Sequence, residues 1–393
     1  MSPNARLRVY YVHYGTMPAL ALLPLLLLEG GASQLSCYED SGDAVDWFYL
    51  YKLPHNQSDI DGLKYLLMSG GDDGWVDGNG LVNETTGALG RTVGHLYENG
   101  DYGYILYNDQ PPEPMAKTLG GVSASSSSGG HTKGVVLFDK SQGFWLVHST
   151  PHFPPPKSEG QFSYPSSGVV NGQNFICVTY ALDKFQTIGE QLKINQPHVY
   201  DCHVPESLSS YVPSLVHLCK KNRRDRRNAT LIHTSPTAAN RSVALTTLAG
   251  TDFISFAKGP SFSNDLYHSW VAPTLLSNLL VQFWHRSTGI LPSDCSNKWK
   301  VLNVQLVSPG QRCTFSTMDD HSKWAVSAAA GGSSGGWVCV GDINRNQAEE
   351  RRGGGTVCRQ DPVVWKAYRM AALECESCEG EIGNCGSDKS PAT

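Results

Sequence analysis

Apolar residues along this chain gather in short runs separated by glycine, proline and polar clusters. The runs DAVDWFYLYKLP (43–54), GYILYND (103–109), GVVLF (134–138) and FWLVHS (144–149) are each about one strand long. Runs of that length, rich in aromatic and β-branched residues and closed by turn formers, predict buried β-strands. DKSQG (139–143) joins the last two as a hairpin. ALDKFQTIGEQLKIN (181–195) has helical spacing instead. A second set of apolar elements follows, in TDFISFAKG, SWVAPTLLSNLLVQFW and WKVLNVQLV. Between the sets lies the basic run KKNRRDRRN (220–228), read first as a solvated loop and second as a DNA-contacting or protease-clipped one. GGVSASSSSGG (120–130) reads as a flexible exposed loop. The pattern thus predicts an N-terminal half over 34–220, a C-terminal half over 229–373 and a polar, cysteine-bearing tail over 374–393.

Residues 1–33 stand apart. Arg6 and Arg8 precede the apolar run MPALALLPLLLL, and the small residues of EGGAS follow. That succession is the pattern of a secretory signal peptide ending near Ala32 or Ser33, and its core is too short for a membrane-spanning helix. Eleven cysteines without zinc-site spacing then favour disulfides over metal. Asn56, Asn83, Asn228 and Asn240 begin glycosylation sequons. With 40% hydrophobic and 17% charged residues the chain is globular, and Gly 40 with Pro 22 excludes a helical bundle. Its formal charge is −5 with 13 histidines neutral, so protonating the histidines reverses the sign. A polyanion is repelled at neutral pH and attracted in acid.

One motif occurs twice. GGHTKGVVLFDK (129–140) and DDHSKWAVSAAA (319–330) each place histidine, a hydroxyl residue and lysine before an apolar run, then a glycine turn with tryptophan, then a second run. On a strand, residues i and i+2 share a face, so His131 projects with Lys133 and His321 with Lys323. Two such half-sites brought together make a cationic pocket for a phosphate, without a metal. The lysines offset charge on the phosphoryl oxygens, one histidine attacks phosphorus and the other protonates the leaving oxygen. Asp320 and Asp342 are candidates to orient an imidazole.

The chain resembles the deoxyribonuclease II family in CYEDSGDAVDWFYLYKLP, ILYNDQPP, GHTKGVVLFD, FWLVHSTPHFPP, SFAKGPSFSNDLYHSW, QFWHRSTGILPSDCS, DDHSKW and VGDINRNQAEERRGGGTVC, in that order. The resemblance implies an acid, metal-independent lysosomal endonuclease, reached through the secretory pathway, also secreted in an alternative reading. It would need no cofactor, cut double-stranded DNA and leave 3′-phosphate and 5′-hydroxyl ends. It implies a phospholipase D-like α/β fold: two pseudo-symmetric halves, each a mixed β-sheet flanked by helices, sharing one active site. Carried over, the catalytic group is His131, Lys133, His321 and Lys323, supported by His148, Asn344 and Asn346. No membrane insertion is expected, and a homodimer stays open.

There are departures from the pattern. The superfamily's aspartate five residues after the lysine is Phe138 in one copy and Ala328 in the other, so Asp139 is read as a turn former. The resemblance implies bridges Cys37–Cys177 and Cys295–Cys358. Ala325 stands where the family has a cysteine partner for Cys339, and Cys313 is taken as the replacement. Cys202 with Cys219 would close a short loop. Two other readings are kept: a secreted nucleic-acid-binding relative without catalysis, and a phosphodiesterase of this fold acting on RNA or phospholipid.

Overall fold

The computed structural model describes residues 34–55, 61–112, 129–225 and 238–386. The signal-peptide pattern, most of the 120–130 loop, the end of the basic run and the sequons at Asn56 and Asn228 lie outside them.

Two large sheets dominate, and helices are few. A two-residue ribbon, β1 (Cys37–Tyr38) with β2 (Ala44–Val45), opens the described chain. The first sheet contains β3 (Trp47–Lys52), β4 (Tyr65–Ser69), β5 (Val76–Asp77), β6 (Gly103–Asn108), β7 (Lys133–Phe138), β8 (Gln142–His148), β9 (Gln173–Ala181) and β10 (Val199–His203). Its order is β10-β6-β7-β8-β9-β3-β4-β5, antiparallel throughout. The second holds β11 (Asn240–Thr246), β12 (Asp252–Lys258), β13 (Leu279–Gln282), β14 (Val301–Val307), β15 (Phe315–Ser316), β16 (Trp324–Ser327), β17 (Trp337–Gly341), β18 (Gly354–Gln360), β19 (Ala372–Glu376) and β20 (Ile382–Asn384). Its order is β11-β12-β18-β17-β16-β13-β14-β19-β20, with β15 on β14 and one parallel pair, β13 with β14. The first tail residues extend this sheet as β19 and β20.

The strand order around the two H-x-K copies is the same. Over five places β6-β7-β8-β9-β3 in one sheet and β13-β16-β17-β18-β12 in the other follow the same chain order and are wholly antiparallel; at the sixth they differ, since β4 follows β3 in the chain and β11 precedes β12. β7, which Lys133 begins, and β16, which Lys323 directly precedes, occupy the second place in each.

Alternation along the strands explains the layering, because successive side chains leave opposite faces. Tyr49, Tyr51, Val136, Phe138 and Ile176 of the first sheet share one continuous core with Leu280, Trp324, Val326, Val338 and Val340 of the second. The intervening residues Phe48, Leu50, Val135, Leu137 and Leu146 face outward, onto α1 (Ala88–Gly94). On the far side of the second sheet Val281, Ala325, Cys339 and Cys358 meet Tyr267, Val271 and Leu275. Helices α2 (Lys184–Asn195) and α3 (Pro213–Asp225) close one end of the shared core with Ile188, Leu192 and Leu215. The short α4 (Gln347–Glu350) carries site residues, and α5 (Pro362–Ala371) inserts Val364 and Tyr368 into the core.

Three expectations are corrected. The first half's sheet is antiparallel throughout, not mixed, because chain neighbours such as β3 with β4 and β7 with β8 pair as hairpins. The basic run starts inside α3, not in a loop. Residues 214–225 lack glycine and proline, and lysine and arginine are strong helix formers favoured at a helix C-terminus. The bridges Cys295–Cys358 and Cys313–Cys339 do not form, whereas Cys37–Cys177 and Cys202–Cys219 do. Cys339 is in register with Ala325 on one side and Cys358 on the other, and it bonds Cys358. Cys295 then bonds Cys378, and Cys375 bonds Cys385. Cys313 packs on the shared core, the opposite face of the second sheet from Cys339. Asp139 does make a turn, accepting from the Ser141 and Gln142 amides.

Candidate active site

Both H-x-K segments are extended chain leading into a strand, and their side chains are buried: His131 is 7% exposed, His321 9%, and both lysines 0%. Each histidine is seated by the other sheet's chain. The His131 amide donates to the Gly353 carbonyl just before β18, and the His321 amide donates to the Gly172 carbonyl just before β9, each at 2.9 Å. A side chain at Gly353 would put Cβ 2.0 Å from the Asn195 carbonyl oxygen, which explains the glycine.

The surroundings then diverge. The Nδ1 of His131 meets the Glu349 carboxylate at 2.6 Å, 218 residues away in the chain. That acceptor fixes the proton on Nδ1 and leaves an Nε2 lone pair, 3.9 Å from Asp109. Asp109 in turn bonds Lys133 and Arg352, and Arg352 reaches Glu349 at 3.3 Å. Arg352 also donates to the carbonyls of Gly129 and Gly130, pinning the loop before His131. Asn346 caps α4 by accepting from the Glu349 amide at 3.0 Å, which fixes where that glutamate starts.

His321 meets no carboxylate among these contacts. Its Nδ1 donates to the Ser149 carbonyl at 2.8 Å and lies 3.2 Å from the Gln173 carbonyl oxygen. Lys323 Nζ sits 3.2 Å from its Nε2, and the Trp284 ring packs edge-on at 4.9 Å. Asn344 is linked to that tryptophan, accepting from its amide. Asp320 bonds Tyr51 and Ser322, and Asp342 takes the Gly355 amide, so neither orients an imidazole through these bonds. His148 lies in a fully buried aromatic cage, beside Phe153 and stacked on Phe175. It accepts from the Thr150 amide through Nδ1.

The electrostatics follow these contacts. Burial lowers the His131 imidazole below its usual range, opposed by Asp109 and Glu349. Burial, Lys323, Lys133 and His131 all push His321 down, well below. Burial with Lys133 and Lys323 does the same to His148. Burial raises the carboxyls of Asp109 and Glu349, yet the facing cations win and hold both below the usual carboxylate range. The four motif side chains are therefore near enough to act on one another electrostatically. Asp109, Glu349 and Arg352 were missed. They lie in the quoted stretches ILYNDQPP and VGDINRNQAEERRGGGTVC, but no spacing rule connects them to His131.

A family model described as Deoxyribonuclease II matches residues 36–378. The chain belongs to the deoxyribonuclease II family. It is 44% identical over 384 residues to deoxyribonuclease-2-alpha of Sus scrofa, covering 96% of this chain and 99% of that one. Deoxyribonuclease-2-alpha of Mus musculus is 44% identical over 371 residues, 92% of this chain and 98% of the other. Plancitoxin-1 of Acanthaster planci is 35% identical over 374 residues, 92% and 98%. Among the described residues, no helix of this family member is long and apolar enough to cross a membrane.

Proposed function

We propose that this chain is an acid endonuclease that hydrolyses phosphodiester bonds of double-stranded DNA without a metal, leaving 3′-phosphate and 5′-hydroxyl ends. The observation that carries the reading is the pairing of two buried H-x-K segments whose imidazoles have opposite environments. Family membership supports DNA as substrate. The matching strand orders support two pseudo-symmetric, phospholipase D-like halves. The signal-peptide pattern, five disulfides and the exposed sequon at Asn83 support a secretory route to the lysosome.

His131 is the nucleophile. Attack by Nε2 on phosphorus makes a positively charged phosphohistidine, and the Glu349 carboxylate on Nδ1 offsets that charge. His321 is the general acid. Its Nδ1 proton is held by an acceptor-only carbonyl, so when the ring is charged the second proton is on Nε2 and passes to the departing 5′-oxygen. Water then attacks the phosphohistidine and gives its proton to His321, which releases the 3′-phosphate and restores both rings. Lys133 and Lys323 offset the charge on the non-bridging oxygens. His321 must be charged for the first step, and its surroundings hold it well below the usual range. The rate therefore falls as pH rises, and the bound phosphate, by raising His321, sets how far.

Supercoiled plasmid at about pH 5 and about pH 7.5, with chelator or with magnesium, tests the reading. Nicking in acid with chelator and 3′-phosphate ends is expected. His131→Ala and His321→Ala should each lose roughly 10³-fold or more in rate while still binding DNA. Cutting only with magnesium, or a His321→Ala chain of full activity, refutes it. Binding without cutting under any condition would favour the non-catalytic alternative.

A further inference from the structure

Two further lysines are buried that the reaction above does not use. Lys52 is 0% exposed and Lys258 1% exposed. A lysine is almost never fully buried without partners, because removing its charge from water costs several kcal/mol. Here the partners are main-chain carbonyls. Lys258 Nζ donates to Glu349, Glu350 and Arg352 at 2.8, 3.0 and 2.7 Å. Lys52 Nζ donates to Gly62 at 3.1 Å and to Val169 at 2.6 Å.

What those carbonyls belong to gives the lysines their meaning. Residues 349–353 hold His131 three ways: Glu349 on Nδ1, Arg352 on the Gly129 and Gly130 carbonyls, and Gly353 on the His131 amide. Residues 169–172 lead to Gly172, which takes the His321 amide and donates to the Asp319 carbonyl. The two lysines are also equivalent in place. Each ends its strand, β3 or β12, at the same position in the matching strand orders. Lys52 is in register with Gln173 and Lys258 with Gly354, the first residue of β9 or β18 and the one just after the seating glycine. Even the sequence repeats, as KLP at 52–54 and KGP at 258–260.

We propose that Lys52 and Lys258 are a second, non-catalytic lysine pair: positioning residues, each clamping the loop by which one half seats the other half's histidine. Lys258 sets His131, and Lys52 sets His321. Burial lowers Lys258 to about 8, with Glu349 and Asp265 opposing, so its ammonium stays charged in acid. The inference rests on the two histidines forming the reactive pair, but its main test needs no substrate.

The test is Lys258→Met and Lys52→Met, followed by NMR titration of the ring nitrogens of His131 and His321. The expected result is crossed specificity: Lys258→Met moves the His131 titration and leaves His321, and Lys52→Met does the reverse. With DNA, each lowers kcat about 10- to 100-fold with little change in KM, the cost of a misplaced reacting group. Folded Met variants with both titrations and kcat unchanged would overturn the proposal. So would both histidines moving together in either variant, since that reports general loosening. Where a Met variant does not fold, the Lys→Ala chain is refolded with propylammonium, which replaces the missing atoms. Recovery of folding and of the partner histidine's titration supports the clamp. Recovery of folding alone, or no recovery, assigns that lysine to folding and overturns it. If plasmid is never cut but the crossed shifts appear, the clamps stand and the nuclease reading falls.

Discussion

The two half-sites carry the same three-residue motif and the same main-chain seat, yet their imidazoles differ. His131 faces two carboxylates, both of which also pair with Arg352. His321 faces a carbonyl, an amide oxygen, a lysine and a tryptophan edge. A shared backbone plan thus leaves the chemistry to side chains from distant elements. Two equal imidazoles would compete for one proton; in the proposed reaction the unequal environments are what would divide nucleophile from acid.

Erasing the difference from the His131 side has the largest expected effect. Glu349→Gln keeps the shape and removes the charge, so kcat should fall about 10²-fold with the His131 amide bond intact. Single-turnover rates at pH 5 check this, and an unchanged rate would remove Glu349 from the mechanism.

Erasing it from the other side is subtler. Gln173→Glu gives His321 a carboxylate near Nδ1, which favours the charged ring and raises its pKa. Since the acid must be protonated, the decline of kcat with rising pH should shift upward by about one unit. A profile that stays put, or moves down, contradicts His321 as the acid.

The smallest effect concerns stability. Burial raises Asp342 to about 7, whereas Asp109 is held low by its cations. The unfolded Asp342 carboxyl ionises near 3.8, so its stabilisation is complete below that pH and is lost as pH rises toward about 7. Asp109 works in the opposite sense, losing stability as pH falls. In Asp342→Asn the drop in Tm between pH 5 and 7.5 should shrink by roughly 5 °C. An unchanged drop would mean that Asp342 is already ionised in the folded protein.

The strands were legible because each is a compact apolar run. WFYLYK, GYILYN and KGVVLF became β3, β6 and β7 almost residue for residue. The motif lysines lead or directly precede strands, as expected, while the histidines lie just outside them. Of the supporting residues, Asn346 reaches the site through Glu349 and Asn344 through Trp284, whereas His148 is enclosed by phenylalanines. The cysteine pairing was half legible. Cys202 and Cys219 close a short loop, but Cys339 had two neighbours in register, and only the sheet shows that Cys358 lies beside it.

By itself the sequence determined what local pattern can encode: which segments become strands, which face each strand residue takes, and that the H-x-K motif occurs twice. It also carried enough ordered matches to name the family. Tertiary structure decided the rest. Glu349 lies 218 residues from His131, and Gly172 and Gly353 each hold a histidine that is far away in the chain. Such pairings depend on how two sheets share one core, and a linear pattern has no period at that distance.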